Sequence, residues 1–378
     1  MMLEGKVKVK PEDFQVEEVL ELKLSPKGPY SYYRLWKRDL NTMAAIEAIC
    51  SKWRLTRDRM GFCGLKDKRA ITTQYISICE GPEEDLEDTG FRLTFIGKGE
   101  VPLEIGQAQG NIFTVTLRSI SPKRVLRAME VVERVGFVNY FGRQRFASDL
   151  FMERPIVRYF LEGDYETALK EYLVQHSPSR KRLLKLWGHW RAFLGEAGHL
   201  SVAERAALKV FIRKGDAKRA FRALPKPIKL FFLFSYQSLL WNRAVARFIR
   251  RSTFSFPIPF IRGEDLWFYV DPGPLLREWK ELRVPFISEE ALRWEGPAGL
   301  KEEILRVMDE EGVTEHLDAE VLGLKVFAPG ERDLISKAQD LRLLEAKDDQ
   351  LRIRFFLPAG SYATVFLSKL LAFPEELP

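Results

Sequence analysis

Residues 61–74 read Gly-Phe-Cys-Gly-Leu-Lys-Asp-Lys-Arg-Ala-Ile-Thr-Thr-Gln, and Asp67 stands among Lys66, Lys68 and Arg69. The flanking cations favour its charged form. Gly61 and Gly64 precede it and a β-branched run, Thr72 to Ile78, follows, so a turn is expected to present the acid just before a strand. A charged acid set among cations suits chemistry on a polyanion. The other reactive residue types are poorly grouped. Cys50, Cys63 and Cys79 are far apart and odd in number, which excludes a disulfide framework. Cys63 lies close to Asp67 but reads as a small buried filler rather than a nucleophile. His176, His189, His199 and His316 show no ligand spacing, so no metal site is expected.

Charge is unevenly spread. The chain carries a net +7, yet residues 151–230 hold 17 Lys/Arg against 8 Asp/Glu and residues 281–350 hold 9 against 18. A chain so polarised is expected to offer one basic face to a partner, and its basicity permits nucleic acid. Arg180, Lys181, Arg182 and Lys185, with Lys209, Arg213, Lys214, Lys218, Arg219 and Arg222, are the candidate phosphate contacts. Trp187 and Trp190 lie among them. They are read first as helix-packing residues and second as stackers of bases. Four Asn and nine Gln against 113 charged residues suit a thermophile.

The elements that must position these residues fall into two styles. Up to residue 146, strands are expected at Val7–Val9, Phe14–Leu20, Tyr30–Trp36, Thr72–Ile78, Phe91–Ile96 and Ile112–Leu117. One helix starts at Asn41 or Thr42 and runs to about Trp53. A second starts at Ser121-Pro122 and stops at Gly136. Residues 148–250 read as nearly all helix, and Pro227–Arg250, apolar around most of its circumference, as a buried central helix. Short strands and loops fill 254–300, and an acidic helix spans about 301–311. A strand over Gln350–Leu357 and a helix from about Ser361 close the chain. The fold class expected is α+β with a mixed or antiparallel central sheet, split by a mostly helical block. The divisions are 1–150, 151–330 and 331–378. No apolar run approaches the roughly 20 residues of a membrane span. The start, Met-Met-Leu-Glu-Gly-Lys-Val-Lys, has no apolar stretch of signal length, so a cytoplasmic protein without a membrane partner is expected.

The segment around Asp67 resembles the catalytic motif of the TruD family of pseudouridine synthases, Gly-x-Lys-Asp-(Lys/Arg)-x-Ala-x-Thr-x-Gln, through Gly64, Lys66, Asp67, Lys68, Ala70, Thr72 and Gln74. Four further blocks follow that family's order. They are Lys8-Val9-Lys10-Pro11-Glu12-Asp13-Phe14-Gln15-Val16-Glu17; Gly110-Asn111-Ile112-Phe113 with Leu117-Arg118; Asn139-Tyr140-Phe141-Gly142-Arg143-Gln144-Arg145-Phe146; and Arg354 to Thr364. The resemblance covers 6–146 and about 332–371. Between them only Tyr236-Gln237-Ser238-Leu239-Leu240-Trp241-Asn242 is familiar. Val138 and Ala147 depart from the usual Pro and Gly, and Arg332–Leu341 lacks the usual Pro before Asp340-Leu341.

The resemblance implies a pseudouridine-synthase core with a family-specific insertion, acting on tRNA at the uridine conventionally numbered 13. Such an enzyme breaks N1–C1′, turns the base and rejoins it through C5. No net transfer or redox change occurs, so no cofactor is needed, and no P-loop or Rossmann fingerprint is visible. Asp67 takes the essential position, either attacking C1′ as a nucleophile or removing the C2′ proton as a base. Lys8 becomes its ion-pair partner. Alternation along a strand would place Lys6, Lys8 and Lys10 on one face, so the resemblance and not the register singles out Lys8. Phe141, and less clearly Phe14, are expected to hold the flipped uracil, with Asn139 supporting the pocket and Glu12 orienting neighbours. Two rivals are an RNA-binding protein that kept the fold without catalysis, and a cofactor-dependent base-flipping enzyme such as a methyltransferase. Oligomeric state is not legible.

Overall fold

In the computed structural model, which describes residues 6–147 and 150–376, the chain forms two compact units. One comprises Met1–Asn139 with Ile335–Pro378, the other Tyr140–Leu334. The divisions fall at 139/140 and 334/335, where sequence composition suggested 150/151 and 330/331. Residues 1–5, part of the localisation reading, and 148–149 lie outside the described residues.

The first unit is built on a nine-stranded sheet. In chain order the strands are β1 (Phe14–Val19), β2 (Tyr30–Arg38), β3 (Met60–Phe62), β4 (Ile71–Cys79), β5 (Leu86–Asp88), β6 (Phe91–Gly99) and β7 (Gly110–Leu117). A two-stranded ribbon follows, β8 (Phe137–Val138) with β9 (Ile335–Ser336), and then come β10 (Gln339–Lys347) and β11 (Gln350–Pro358). The sheet order is β10-β11-β7-β1-β4-β2-β6-β5, with β3 beside β4. Only β1 and β4 run parallel; the other pairs are antiparallel, so the sheet is mixed.

Helix α1 (Thr42–Trp53) starts where Asn41 Oδ1 accepts the Met43 N–H at 2.8 Å. Its Ala45 and Ile49 pack with Tyr33, Leu35, Ile76, Ile78 and Leu93 of the sheet. Helix α2 (Pro122–Val135) has Ser121 at its N-cap position without a side-chain cap bond, and ends at Gly136, φ +71°. A Cβ there would come within 2.7 Å of Ile335 and the Ser336 carbonyl, so only glycine lets β8 enter its pairing with β9.

The strand expected at 7–9 does not form; residues 6–10 are turn, bend and irregular backbone. Strand β10, by contrast, was missed. It is exposed along nearly its whole length, so neither face carries the apolar alternation by which strands are read.

The second unit centres on a 27-residue helix, α3 (Lys226–Ser252), buried along most of its length from Phe232 to Ile249. Four residues of the segment Tyr236–Asn242 each hold a neighbouring chain. Tyr236 Oη donates to Glu311 at 2.8 Å, Gln237 Nε2 to the Ile287 and Ala328 carbonyls at 2.9 and 2.7 Å, and Trp241 Nε1 to Val284 at 3.3 Å. Asn242 clamps Phe141. Three arginines at helical spacing answer the acidic run that follows. Arg243 pairs with Glu264 and Glu311, Arg247 with Glu310 at 2.7 Å, and Arg251 with Glu303 of α4 (Ala298–Glu310). Part of the charge polarity seen along the sequence therefore cancels inside this unit.

Candidate active site

Asp67 sits in the loop joining β3 to β4. Its side chain is 55% exposed, and Lys8 Nζ donates to Oδ2 at 2.7 Å. Oδ1 has no hydrogen-bond partner among the described residues. The structure thus brings together the two residues that the resemblance paired.

Lys8 reaches Asp67 from a backbone at φ +61°, in the left-handed region that a non-glycine residue enters only at a cost. Surrounding bonds hold it there. Asp13, 1% exposed, accepts from Arg118 at 3.0 and 2.7 Å and from the Lys10 N–H at 3.1 Å, while the Arg118 N–H donates to the Lys6 carbonyl at 2.9 Å. Burial pushes the Asp13 carboxyl up, but Arg118 and the Lys10 N–H outweigh it and hold the group below its ordinary value. The Lys8 ammonium also lies 4.0 Å from the centroid of the Phe14 ring.

Phe14, expected less clearly than Phe141 to hold the flipped uracil, is 2% exposed, packed edge-on against Phe113 at 5.8 Å and covered by Lys8. Glu12 is tied to Arg38 at the end of β2 at 2.7 Å. Its carboxyl sits below the ordinary value through its own backbone hydrogen bond first and Arg38 second.

The Asp67 loop is fixed through its backbone. Thr42 Oγ1 accepts the Lys66 N–H at 3.1 Å and donates to Gln74 Oε1 at 3.0 Å, and Gln74 Nε2 donates to the Gly64 carbonyl at 3.0 Å. Lys66 forms an ion pair with the buried Glu18, whose other oxygen accepts the Tyr75 N–H at 3.0 Å. Beneath these, Lys37 Nζ donates to the carbonyls of Leu40 at 2.8 Å, Asp67 at 2.9 Å and Lys66 at 3.4 Å. Lys37 was not singled out from sequence. The signal was there: alternation that turns Tyr33 and Leu35 inward turns Lys37 inward as well. Gly61 is needed for close approach, since a Cβ there would meet the Leu103 carbonyl within 2.4 Å. Cys63 is buried, and burial first and Glu18 second push its thiol up to about 11, which suits a filler and not a nucleophile.

In the second unit Phe141 is 5% exposed. Its N–H donates to Asn242 Oδ1 and its carbonyl accepts from Asn242 Nδ2, both at 2.9 Å. The ring meets Trp241 edge-on at 5.6 Å and Phe286 at 5.9 Å, and the Arg332 guanidinium lies 4.2 Å from its centroid. Asn242 and Arg332 were not predicted as site residues, although both fall in segments that resembled the family. Asn139, the last residue of the first unit, is 7% exposed.

In the basic cluster, Arg180 pairs with Glu171 at 2.5 Å and Arg182 with Glu196 at 3.0 Å, while Lys181 and Lys185 are exposed. Trp187 stacks on Phe211 at 5.6 Å and meets Trp190 edge-on, which is the packing role. No helix of the described residues is long and apolar enough to cross a membrane.

The family model for tRNA pseudouridine synthase D matches residues 2–271. The chain belongs to the TruD family. It is 39% identical to the tRNA pseudouridine synthase D of Aquifex aeolicus, covering 97% of both chains. It is 31% identical to the probable enzyme of that name from Pyrococcus abyssi, over 97% of this chain and 96% of the other. The crystal structure of a TruD protein from Methanosarcina mazei matches with a TM-score of 0.69 over 98% of this chain and 94% of its own. At 22% identity that likeness speaks for the fold alone. The TruD fold, α+β with a mixed sheet and a helical middle region, is the one described above.

Proposed function

We propose that this TruD protein isomerises a uridine of tRNA, at position 13, to pseudouridine, with Asp67 as the catalytic carboxylate and no cofactor. The carrying observation is the state of that carboxylate. Lys8 engages Oδ2, Oδ1 has no hydrogen-bond partner among the described residues, and the loop beneath is pinned while the side chain stays open. A charged, oriented and accessible oxygen is what either role requires, attack on C1′ or removal of the C2′ proton. Lys8 concentrates charge on Oδ2 and lies where a backbone phosphate beside the flipped nucleotide would find a cation. Phe14 acts through Lys8, as the surface that supports its ammonium. Glu12 orients Arg38, and Asn139 supports the pocket wall.

Phe141 is assigned to the flipped uracil together with Arg332. A base reaching that ring meets a guanidinium 4.2 Å from its centroid, so Arg332 either moves aside or stacks on the far side of the base. Lys181 and Lys185 grip phosphates directly; Arg180 and Arg182 would have to exchange a glutamate for a phosphate to do so. A tRNA substrate places the work in the cytoplasm.

The test is incubation of the protein with unmodified tRNA, without any cofactor, followed by mapping of pseudouridine. Wild type should modify position 13. Asp67→Asn, which keeps the shape and removes the charge, should lose at least a thousandfold in single-turnover rate while tRNA affinity stays within a few-fold. An active Asp67→Asn protein would end this reading.

A further inference from the structure

Lys37 is wholly buried in β2, yet its ammonium has no carboxylate in hydrogen-bond reach among the described residues. A buried cation of this kind is destabilising unless its three donors are used. All three have carbonyl partners: Leu40, at the turn leading into α1, and Lys66 and Asp67, in the loop that carries the reactive acid. The carbonyl of Asp67 itself is thus fixed 2.9 Å from a charge below it, and its side chain points from that fixed point into the open. We propose that Lys37 is a positioning residue for pseudouridine formation, whose protonated ammonium sets the backbone, and through it the carboxylate, of Asp67.

Three features of the chemistry support this. Ammonium has three N–H donors and no lone pair, which matches three carbonyls; the neutral amine has two donors and a lone pair, and would leave one carbonyl opposed. Carbonyls of consecutive residues 66 and 67 are both engaged, which restricts the peptide plane between them and hence the direction of the Asp67 side chain. The charged groups that act on Lys37 are Asp67, which favours its charged form, and Lys66, which opposes it and is itself neutralised by Glu18. Burial is the largest influence and brings Lys37 down to about 8, so its protonation changes within reach of working conditions. Directly opposite Lys37 in the register with β4 is Thr72, whose buried hydroxyl has no hydrogen-bond partner among the described residues, so the ammonium directs its donors to the loop carbonyls and none to this available acceptor.

This inference rests on Asp67 as the catalytic group, and the experiment separates the two. Single-turnover rates at saturating tRNA are measured from pH 6 to 10 for wild type, Lys37→Met, Lys37→Gln and Asp67→Asn, with thermal midpoints and tRNA affinity alongside. Wild type should lose rate above about pH 8. Lys37→Met, which keeps the length and loses every donor, should stay folded, bind tRNA within about twofold of wild type, turn over at least thirtyfold more slowly, and show no fall at that pH. Lys37→Gln, with two donors at every pH, should lie between them and also lack the fall. Methionine and glutamine variants within threefold of wild type, with the alkaline fall intact, would overturn the proposal. So would a loss of rate that merely tracks loss of folded protein with the fall unmoved. An active Asp67→Asn protein would instead remove the reading on which the proposal stands.

Discussion

At Asp67 the chain is gripped from beneath by Lys37, Gln74 and Thr42 while the carboxylate side chain stands 55% exposed; at Phe141 the chain is gripped by Asn242 while the residue is 5% exposed beneath Arg332. Both residues have their backbone fixed by side chains far away in sequence. They differ in what is left over. Under the proposed roles, the carboxylate of Asp67 is kept out of the core because burial would penalise its charge. The ring of Phe141, proposed only to hold a base, can be built into the core at no such penalty, and then carries stability as well. The two sites should therefore respond to mutation in opposite ways.

The largest effects test this directly. Asp67→Asn should abolish turnover while the unfolding free energy changes by less than about 1 kcal/mol, since an exposed ion pair contributes little. Phe141→Ala should remove about 3–5 kcal/mol of stability by leaving a cavity beside Trp241 and Phe286, and lower turnover more than tenfold per folded molecule. Denaturant titration beside single-turnover assays reads both. Equal stability losses in the two variants would break the comparison, and normal turnover by folded Phe141→Ala would make that ring plain core. Next comes Asn242→Ala. It orphans a buried N–H and a buried carbonyl at Phe141, at about 1–3 kcal/mol for each group, and should destabilise by roughly 2–6 kcal/mol. A loss under 0.5 kcal/mol would show that Phe141 is placed by its ring contacts and not by the amide clamp.

How far these sites could be read from the chain follows from the same contrast. Asp67, its strand β4 and the helix cap Asn41 are local patterns, a turn before a β-branched run and a side chain placed to accept a backbone N–H, and they were legible. Lys8 was legible only through resemblance, because its pairing depends on one left-handed residue in a segment that looked like a strand. The cover that Lys8 and Phe113 give Phe14 was not legible, since an aromatic beside a conspicuous motif says nothing of which face its neighbours cover. Lys37, Asn242 and Arg332 escaped because each acts across the fold on a chain distant in sequence. Strand β10 escaped because it buries neither face. The opposed charges of residues 151–230 and 281–350 suggested one basic face for a partner, and the chain pattern did not show that Glu303, Glu310 and Glu311 of the acidic run pair with Arg251, Arg247 and Arg243.

A smaller effect sharpens the account of what lies beneath Asp67. Lys37 is held at about 8 in the folded protein against an ordinary 10.5. Between those values the unfolded chain binds a proton that the folded chain does not, so stability rises with pH across that window. Below about pH 8 the folded state carries the full penalty of the buried charge. Relative to Lys37→Met, wild type should therefore gain on the order of 1–3 kcal/mol between pH 8 and 10.5. Parallel pH–stability curves would mean that Lys37 is solvated as an ordinary lysine.

The smallest effect concerns the basic cluster, and it asks whether a charge already paired within the protein still counts toward RNA. Each phosphate contact made releases counterions and steepens the dependence of log affinity on log salt by about 0.7–0.9 units. Changing Arg180, Lys181, Arg182 and Lys185 to Ala removes four cations, but two of them face Glu171 and Glu196. An arginine held by a glutamate must lose that partner before it gains a phosphate, so its net contribution is small. The fourfold variant should flatten the salt dependence by one to two units and not by three to four, and Lys181→Ala/Lys185→Ala alone should reproduce most of that change. Single-turnover chemistry at saturating tRNA should be untouched, since Asp67, Lys8 and Phe141 are all unchanged in this variant. A flattening near the full four contacts would show that the glutamates give way on binding. Superimposable salt series for wild type and the fourfold variant would make the cluster a solvated face, and the RNA surface would then be sought at the exposed Arg54, Arg57 and Arg143, since Arg59 is already spent on the Cys79 carbonyl.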